Sequence, residues 1–185
     1  MTTNTFLMHN KNILFITLAT ACILMVPLIA MQFTNEVDWD LTNFIFAGTL
    51  LFGTGVAYEF VASRGRTTLY RVAVGLAGVT TLVLLWVNAA VGIIGDGLVN
   101  MMYVGVSAVG ILGSLIAWFK PRGMMWTLFA MALAQMSVPT AALIIWNTQI
   151  SWSPGMLNVF VLNAVFAMLF VGSALLFRQA ARKHK

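Results

Sequence analysis

Apolar stretches of membrane-spanning length follow one another through the chain, and only short polar turns separate them. A helix needs about 20 predominantly apolar residues to cross the hydrocarbon core of a bilayer. Of the 185 residues, 61% are hydrophobic and 8% are charged, whereas soluble domains carry roughly 25% charged residues. The sequence therefore predicts a single all-α integral membrane domain over residues 1–185, with six transmembrane helices and no soluble domain.

The six predicted helices are joined as successive hairpins. We expect them at about 13–31, 43–63, 70–95, 100–119, 124–146 and 157–177. The first apolar stretch, Ile13 to Met31, is longer than the core of about 7 to 15 residues in a signal peptide, so it is predicted to be a permanent anchor. Pro27 is expected to kink this helix near its outer end.

The basic residues predict the orientation of the bundle. The ten Lys and Arg residues fall in predicted tails and turns on one side: Lys11, Arg64, Arg66, Arg71, Lys120, Arg122, Arg178, Arg182, Lys183 and Lys185. Four of the five acids fall on the opposite side: Glu36, Asp38, Asp40 and Asp96. Because Lys and Arg are enriched in cytoplasmic segments, both termini are predicted to be cytoplasmic. The same rule explains the net charge of +5, so no nucleic-acid partner is predicted.

Aromatic residues near the predicted helix ends suggest two belts at the membrane surfaces. The outer belt is predicted to contain Trp39, Tyr103, Trp146 and Trp152, and the inner belt Tyr58, Tyr70, Trp118 and Trp126. Trp86 belongs to neither belt and is predicted to lie near the middle of the membrane.

Each even-numbered predicted helix opens with Leu or Met two residues before Asn, at nearly equal spacing. This self-similarity predicts tandem hairpin repeats over about 12–64, 66–120 and 122–178. The asparagines, Asn43, Asn100 and Asn158, are predicted helix N-caps, because an Asn oxygen accepts a hydrogen bond from a free backbone N–H. The alternative is that the three positive helix ends form the mouth of an anion or polar-ligand site. The acidic residues nearby oppose an anion there.

Small residues at matching heights predict close contacts between helices, because packing drives helix association in lipid. These residues are Gly48, Gly53, Gly105, Gly110, Gly113 and Gly172. Asn163 stands in the third repeat where the first two have Gly48 and Gly105. Its side chain is therefore predicted to face a contact between helices rather than lipid.

Four polar side chains inside the predicted spans are candidate site residues: Glu59, Asn88, Gln135 and Asn163. An unpaired amide or a carboxylate is costly in hydrocarbon, so each must find a partner or water. One hypothesis is structural: the amides link helices, and Glu59 pairs with Arg64, Arg66 or Arg71. The other is that they line a polar path or pocket, with Trp86 as a possible wall.

The sequence offers no catalytic constellation. No His or Lys lies within a predicted span, and P-loop, GxSxG and HExxH motifs are missing. Cys22 is the single cysteine, and the methionines are dispersed in a manner typical of adaptable packing. We therefore expect a protein that is not an enzyme, with no catalytic residues, no metal site and no cofactor.

Residues 86–124 carry a recognisable pattern. WVNAAVGIIG is followed by LVNMMYVGVSAVGILGSLIAWFKPRGM, and this region resembles small uncharacterised bacterial polytopic membrane proteins with a W-V-N-x-A-V-G-I-I-G segment and a later R/K-P-R-G turn. The resemblance implies a multi-pass protein of the bacterial inner (cytoplasmic) membrane. It implies no activity and no site.

The leading functional hypothesis is a non-enzymatic accessory or oligomeric membrane subunit. Its expected partners are membrane lipid and either copies of itself or a larger membrane complex. One alternative is a small transporter or channel with a polar path through the membrane. A second is a lipid- or quinone-binding subunit of a membrane enzyme.

Overall fold

A computed structural model of the chain describes residues 3–34, 36–65, 67–94, 100–145 and 154–182. Within these ranges the chain forms six α-helices. They are α1 (Thr3–Phe33), α2 (Leu41–Ala62), α3 (Thr68–Val91), α4 (Met101–Ile116), α5 (Pro121–Ile145) and α6 (Pro154–Arg182). The predicted all-helical class is therefore confirmed.

Five of these described helices, all except α4, are long and apolar enough to cross a membrane. α4 is apolar but has 16 residues, a rise of about 24 Å against a hydrocarbon core of about 30 Å. It ends earlier than predicted because Trp118 and Phe119 adopt positive φ angles of 50° and 56°, which cannot continue a right-handed helix. A sixth full span stays a prediction.

Two other helix ends differ from the sequence prediction. α3 ends at Val91 because Gly92 follows with a φ of 63°, a conformation that glycine adopts without steric cost. α6 begins at Pro154 and continues to Arg182, past the predicted end at Phe177. Arg178 and Arg182 therefore lie one turn apart on a helix and not in an irregular tail.

The chain divides into two compact units, Met1–Phe60 and Val61–Lys185. In the first unit α1 and α2 are antiparallel. A Cβ built on Gly48 would lie 3.3 Å from the Leu24 side chain, and one on Gly55 would lie 2.6 Å from Ile16. Ala47 is the one buried residue among the described side chains of this unit. The hairpin therefore rests on close helix approach at glycine rather than on a core.

The second unit is built around α6. α6 packs on α3 and α5, α4 packs on α5, and α3 and α4 touch at few points. Buried residues recur every three or four positions along α6, as a helix that packs on two neighbours requires. They include Asn163, Phe166, Phe170, Ser173, Phe177 and Ala180. The Ser173 hydroxyl donates to the Ala73 carbonyl at 2.7 Å, which ties α6 to α3.

This packing corrects part of the hairpin prediction. The helices expected to pair over 66–120 are α3 and α4, yet each makes its main contact with a helix of the third predicted hairpin. The tandem repeat itself stays a prediction. In the second unit α5 and α6, which form the third predicted hairpin, pack on each other, whereas α3 and α4 make their main contacts with α6 and α5.

The glycine predictions divide by helix face. Gly110 and Gly113 of α4 face Met131 and Thr127 of α5, and Gly172 faces Leu76 of α3. Added Cβ atoms on Gly53 and Gly105 would meet no atom within 4 Å, so neither glycine lines a contact between helices of the described chain. Gly53 lies five residues from Gly48, and Gly105 lies five residues from Gly110. Five residues turn an α-helix by about 140° beyond a full turn, so Gly53 and Gly105 lie on a different helix face from the packed glycines.

Candidate functional site

Three fully buried polar side chains of the second unit form a network between three helices. The Gln135 amide on α5 donates to Asn163 Oδ1 on α6 at 2.9 Å. Asn163 Nδ2 donates to the Tyr103 hydroxyl on α4 at 3.0 Å and to the Val159 carbonyl at 2.8 Å. Gln135, Asn163 and Tyr103 are all 0% exposed. The amides thus bond the helices together, as the structural hypothesis predicted.

Tyr103 is the member of this network that sequence reasoning misplaced. The sequence predicts Tyr103 in the outer aromatic belt and Tyr70 in the inner belt, but both side chains are buried. A hydroxyl within reach of Asn163 allows the tyrosine to be buried without an unpaired polar group. The inner-belt assignments of Trp118 and Trp126 agree with their exposure of 79% and 68%. Trp146 and Trp152 lie outside the described residues.

Asn88 and Asn100 close the connection between α3 and α4. Asn88 Nδ2 donates to the Asn100 carbonyl at 3.1 Å, and Asn100 Oδ1 accepts from the Ile94 backbone N–H at 3.3 Å. Because α3 ends at Val91, Asn88 lies in its last turn, and its side chain bonds to Asn100 rather than to Gln135 or Asn163. Trp86 lies two residues before Asn88 on α3 and is partly buried, and its mid-membrane position stays a prediction.

The helix starts correct the predicted N-caps. Asn43 is the third residue of α2, and its N–H donates to Asp40 Oδ1 at 2.8 Å, so Asp40 is the cap. Asn100 precedes α4 but makes no capping bond with its side chain, since its oxygen accepts from Ile94. Asn158 lies inside α6, which begins at Pro154. The three asparagines do not mark equivalent helix starts.

Glu59 belongs to the first unit and is partly buried on α2. Its Oε1 accepts a hydrogen bond from the Asn12 side chain of α1 at 2.7 Å. This bond lies on the same side of the hairpin as the Gly55 contact and extends the antiparallel register. The pairing of Glu59 with Arg64 or Arg71 stays a prediction, and Arg66 lies outside the described residues.

One end of the second unit carries its described basic residues. Tyr70 donates its hydroxyl proton to the Phe119 carbonyl at 2.8 Å, and its ring meets Phe177 edge-on at 5.0 Å. The Arg64 guanidinium lies 5.3 Å from the centre of the Phe119 ring, within cation–π range. These contacts bring the start of α3 and the ends of α4 and α6 together.

A cavity of about 480 Å³ lies at this basic end, between the start of α5 and the end of α6. Its lining comprises Arg122, Met125, Trp126, Arg178, Ala181 and Arg182. We call these six residues the arginine groove. Sequence reasoning missed the groove because it treated Arg178 and Arg182 as a tail. Their four-residue spacing was the available signal, since it places both on one face if the helix continues.

The described side chains bring no group of three His, Cys, Asp or Glu together as metal ligands. No protein family model matches the chain, and no similar curated protein or solved structure was found. By helix length and hydropathy, this is a multi-pass membrane protein. Its role must be argued from its own contacts.

Proposed function

We propose that this membrane protein is a non-enzymatic subunit that associates laterally, with copies of itself or within a larger complex of a bacterial inner membrane. The observation that carries the proposal is an open face of small residues on α2. Thr49, Gly53 and Ala57 recur every four positions and are all exposed. Gly48 and Gly55, by contrast, face α1.

Small residues four apart allow two helix backbones to approach closely, and such faces are common where membrane helices associate. The Gly53 position has no atom within 4 Å of an added Cβ. A partner helix is therefore free to approach it without displacing a side chain of this chain.

Hydrogen bonding supports a packing role over a transport path. Gln135 and Asn163 bond to one another and are fully buried, while Asn88 bonds within the α3–α4 connection. Several hydroxyls of the second unit bond to carbonyls of their own helix, including Thr80, Thr81 and Thr140. In the described part of the second unit, these donors bond to backbone or to neighbouring helices, while Gln135 Oε1 and Asn88 Oδ1 are buried without a hydrogen-bond partner.

The test is cysteine crosslinking in native membranes, in a Cys22→Ser background. An Ala57→Cys variant should form a disulfide-linked species on mild oxidation, with the mass of a dimer or of a complex with another chain. Val56→Cys is the matched control, because it lies about 100° around the same helix. The absence of any Ala57→Cys crosslink, together with a monomer in mild detergent, would contradict lateral association at this face.

The proposed orientation places the basic end and both termini in the cytoplasm, following the positive-inside rule. Support comes from the second unit, where Arg64, Arg122 and Arg178 all lie at one end. Reporter tags at Asp38 and Lys185 should report opposite compartments. Tags that report the same compartment would reject this topology.

A further inference from the structure

We propose that the arginine groove binds the phosphate of an anionic lipid headgroup. The groove combines three guanidinium groups with Met125, Trp126 and Ala181 in a cavity of about 480 Å³. A guanidinium is planar and offers parallel N–H donors to two phosphate oxygens, which makes arginine well suited to phosphate. Basic pockets between membrane helices are recognised sites for such headgroups.

Among the described residues of Val61–Lys185, no acid is present to balance the charge of the groove. Of the five acids in the chain, only Asp96 belongs to Val61–Lys185. Asp96 lies outside the described residues, in the connection that follows α3. No carboxylate is among the groove residues, so none of them neutralises the three arginines that line the cavity.

Helix dipoles do not account for the positive character of this cavity. Arg122 lies in the first turn of α5, where the backbone carries partial positive charge, and Arg182 lies in the last turn of α6, where it carries partial negative charge. These two contributions oppose each other. The field that an anion would experience therefore comes from the arginine side chains.

The apolar part of the lining favours a lipid phosphate over free phosphate. Both α5 and α6 are membrane-length helices, and the groove lies at their ends, at the level expected for headgroups. Trp126 is 68% exposed and lies one turn deeper along α5 than Arg122. A glycerol backbone and the start of an acyl chain would lie along Trp126 and Met125 while the phosphate contacts the arginines.

The experiment measures lipid binding to the purified full chain by native mass spectrometry, with phosphatidylglycerol, phosphatidylcholine or inorganic phosphate added separately. The wild type should retain phosphatidylglycerol in preference to phosphatidylcholine. The double variant Arg122→Gln/Arg178→Gln should weaken phosphatidylglycerol binding by about tenfold or more, because each basic residue near an anionic lipid contributes roughly fivefold to the affinity. The control Lys11→Gln/Arg71→Gln removes the same charge outside the groove and should change binding by less than about threefold.

A second variant keeps the test independent of charge and of folding defects. Ala181→Trp fills the groove, leaves all basic residues in place and should also lower phosphatidylglycerol binding. Equal binding by the wild type and both groove variants would overturn the proposal. Binding of inorganic phosphate as strong as that of phosphatidylglycerol would also overturn it, because the site would then recognise a free anion. Helicity and detergent-extracted size serve as folding controls for every variant.

Discussion

The two units of this protein achieve membrane-compatible structure by different means. In the described part of Met1–Phe60, Ala47 is the one buried residue, and the hairpin contacts are those of glycine and one polar pair. The second unit buries aromatic rings, amides and hydroxyls along α6. Lipid can solvate an apolar helix on all sides, so a membrane hairpin needs no core. A multi-helix bundle, in contrast, requires specific contacts to fix which helices are neighbours.

The charged residues are also unevenly distributed between the two units. Lys11 is the one residue of the ten Lys and Arg that belongs to the first unit, and Asp96 is the one acid of the five that belongs to the second. The helices of the second unit are therefore held by contacts with one another, whereas most side chains of the first unit remain exposed.

The largest effect is expected from Gly113→Ala on α4. The new Cβ would lie 2.6 Å from Thr127 Cγ2 and 2.8 Å from its hydroxyl, and a β-branched side chain has little freedom to move. Unfolding free energy should fall by about 1 to 3 kcal/mol, measured by denaturation in mixed micelles. Gly105→Ala is the matched control on the same helix. It should stabilise by about 0.5 to 1 kcal/mol, and equal effects of the two changes would refute this account of α4 packing.

The next effect is the coupling between Gln135 and Asn163. Asn163→Leu removes the acceptor of the Gln135 amide and the donor to the Tyr103 hydroxyl, and Gln135→Leu removes one bond. A double-mutant cycle should give a coupling of about 0.6 to 1.7 kcal/mol, the range found for hydrogen bonds between membrane helices. Strict additivity would show that the pair does not link α5 to α6.

These predictions depend on contacts that the sequence indicates only in part. Hydropathy locates the helices because it measures compatibility with lipid, and the repeat frame places Asn163 at a helix contact. Neither identifies the neighbour. The partner of α3 is α6, a helix about 100 residues away in sequence, as the bond between Ser173 and Ala73 shows. That choice depends on side-chain fit across the bundle, and a sequence pattern along one helix does not encode it.

The arginine groove and the helix caps depend on where individual helices begin and end, which the sequence pattern does not define to the residue. Hydropathy falls at Arg178, so the prediction ended the helix there, but α6 continues to Arg182 because charged side chains are tolerated in a helix beyond the hydrocarbon. Asn43 and Asn158 looked like caps since their spacing repeats. The actual start of α2 is set by Asp40, whose carboxylate accepts the Asn43 N–H.

A smaller effect is expected from Tyr70→Phe. This change removes the hydroxyl that donates to the Phe119 carbonyl and keeps the ring that meets Phe177. Unfolding free energy should decrease by about 0.5 to 1.5 kcal/mol. Tyr58→Phe in the first unit is the matched control, because that side chain is 39% exposed, and it should change stability by less than about 0.5 kcal/mol. Equal losses of unfolding free energy in the two variants would show that the hydroxyl of Tyr70 is no more important for stability than that of Tyr58.

The smallest effect is expected from Glu59→Gln in the first unit. The Gln carbonyl oxygen can accept the same hydrogen bond that Asn12 donates to Glu59, so stability should change by less than about 0.5 kcal/mol. Asn12→Leu removes the donor and should cost more than Glu59→Gln. The opposite order would mean that the negative charge itself matters, as pairing with Arg64 or Arg71 requires. In that case the stability of the first unit would depend on an ion pair of Glu59 in addition to the hydrogen bond from Asn12.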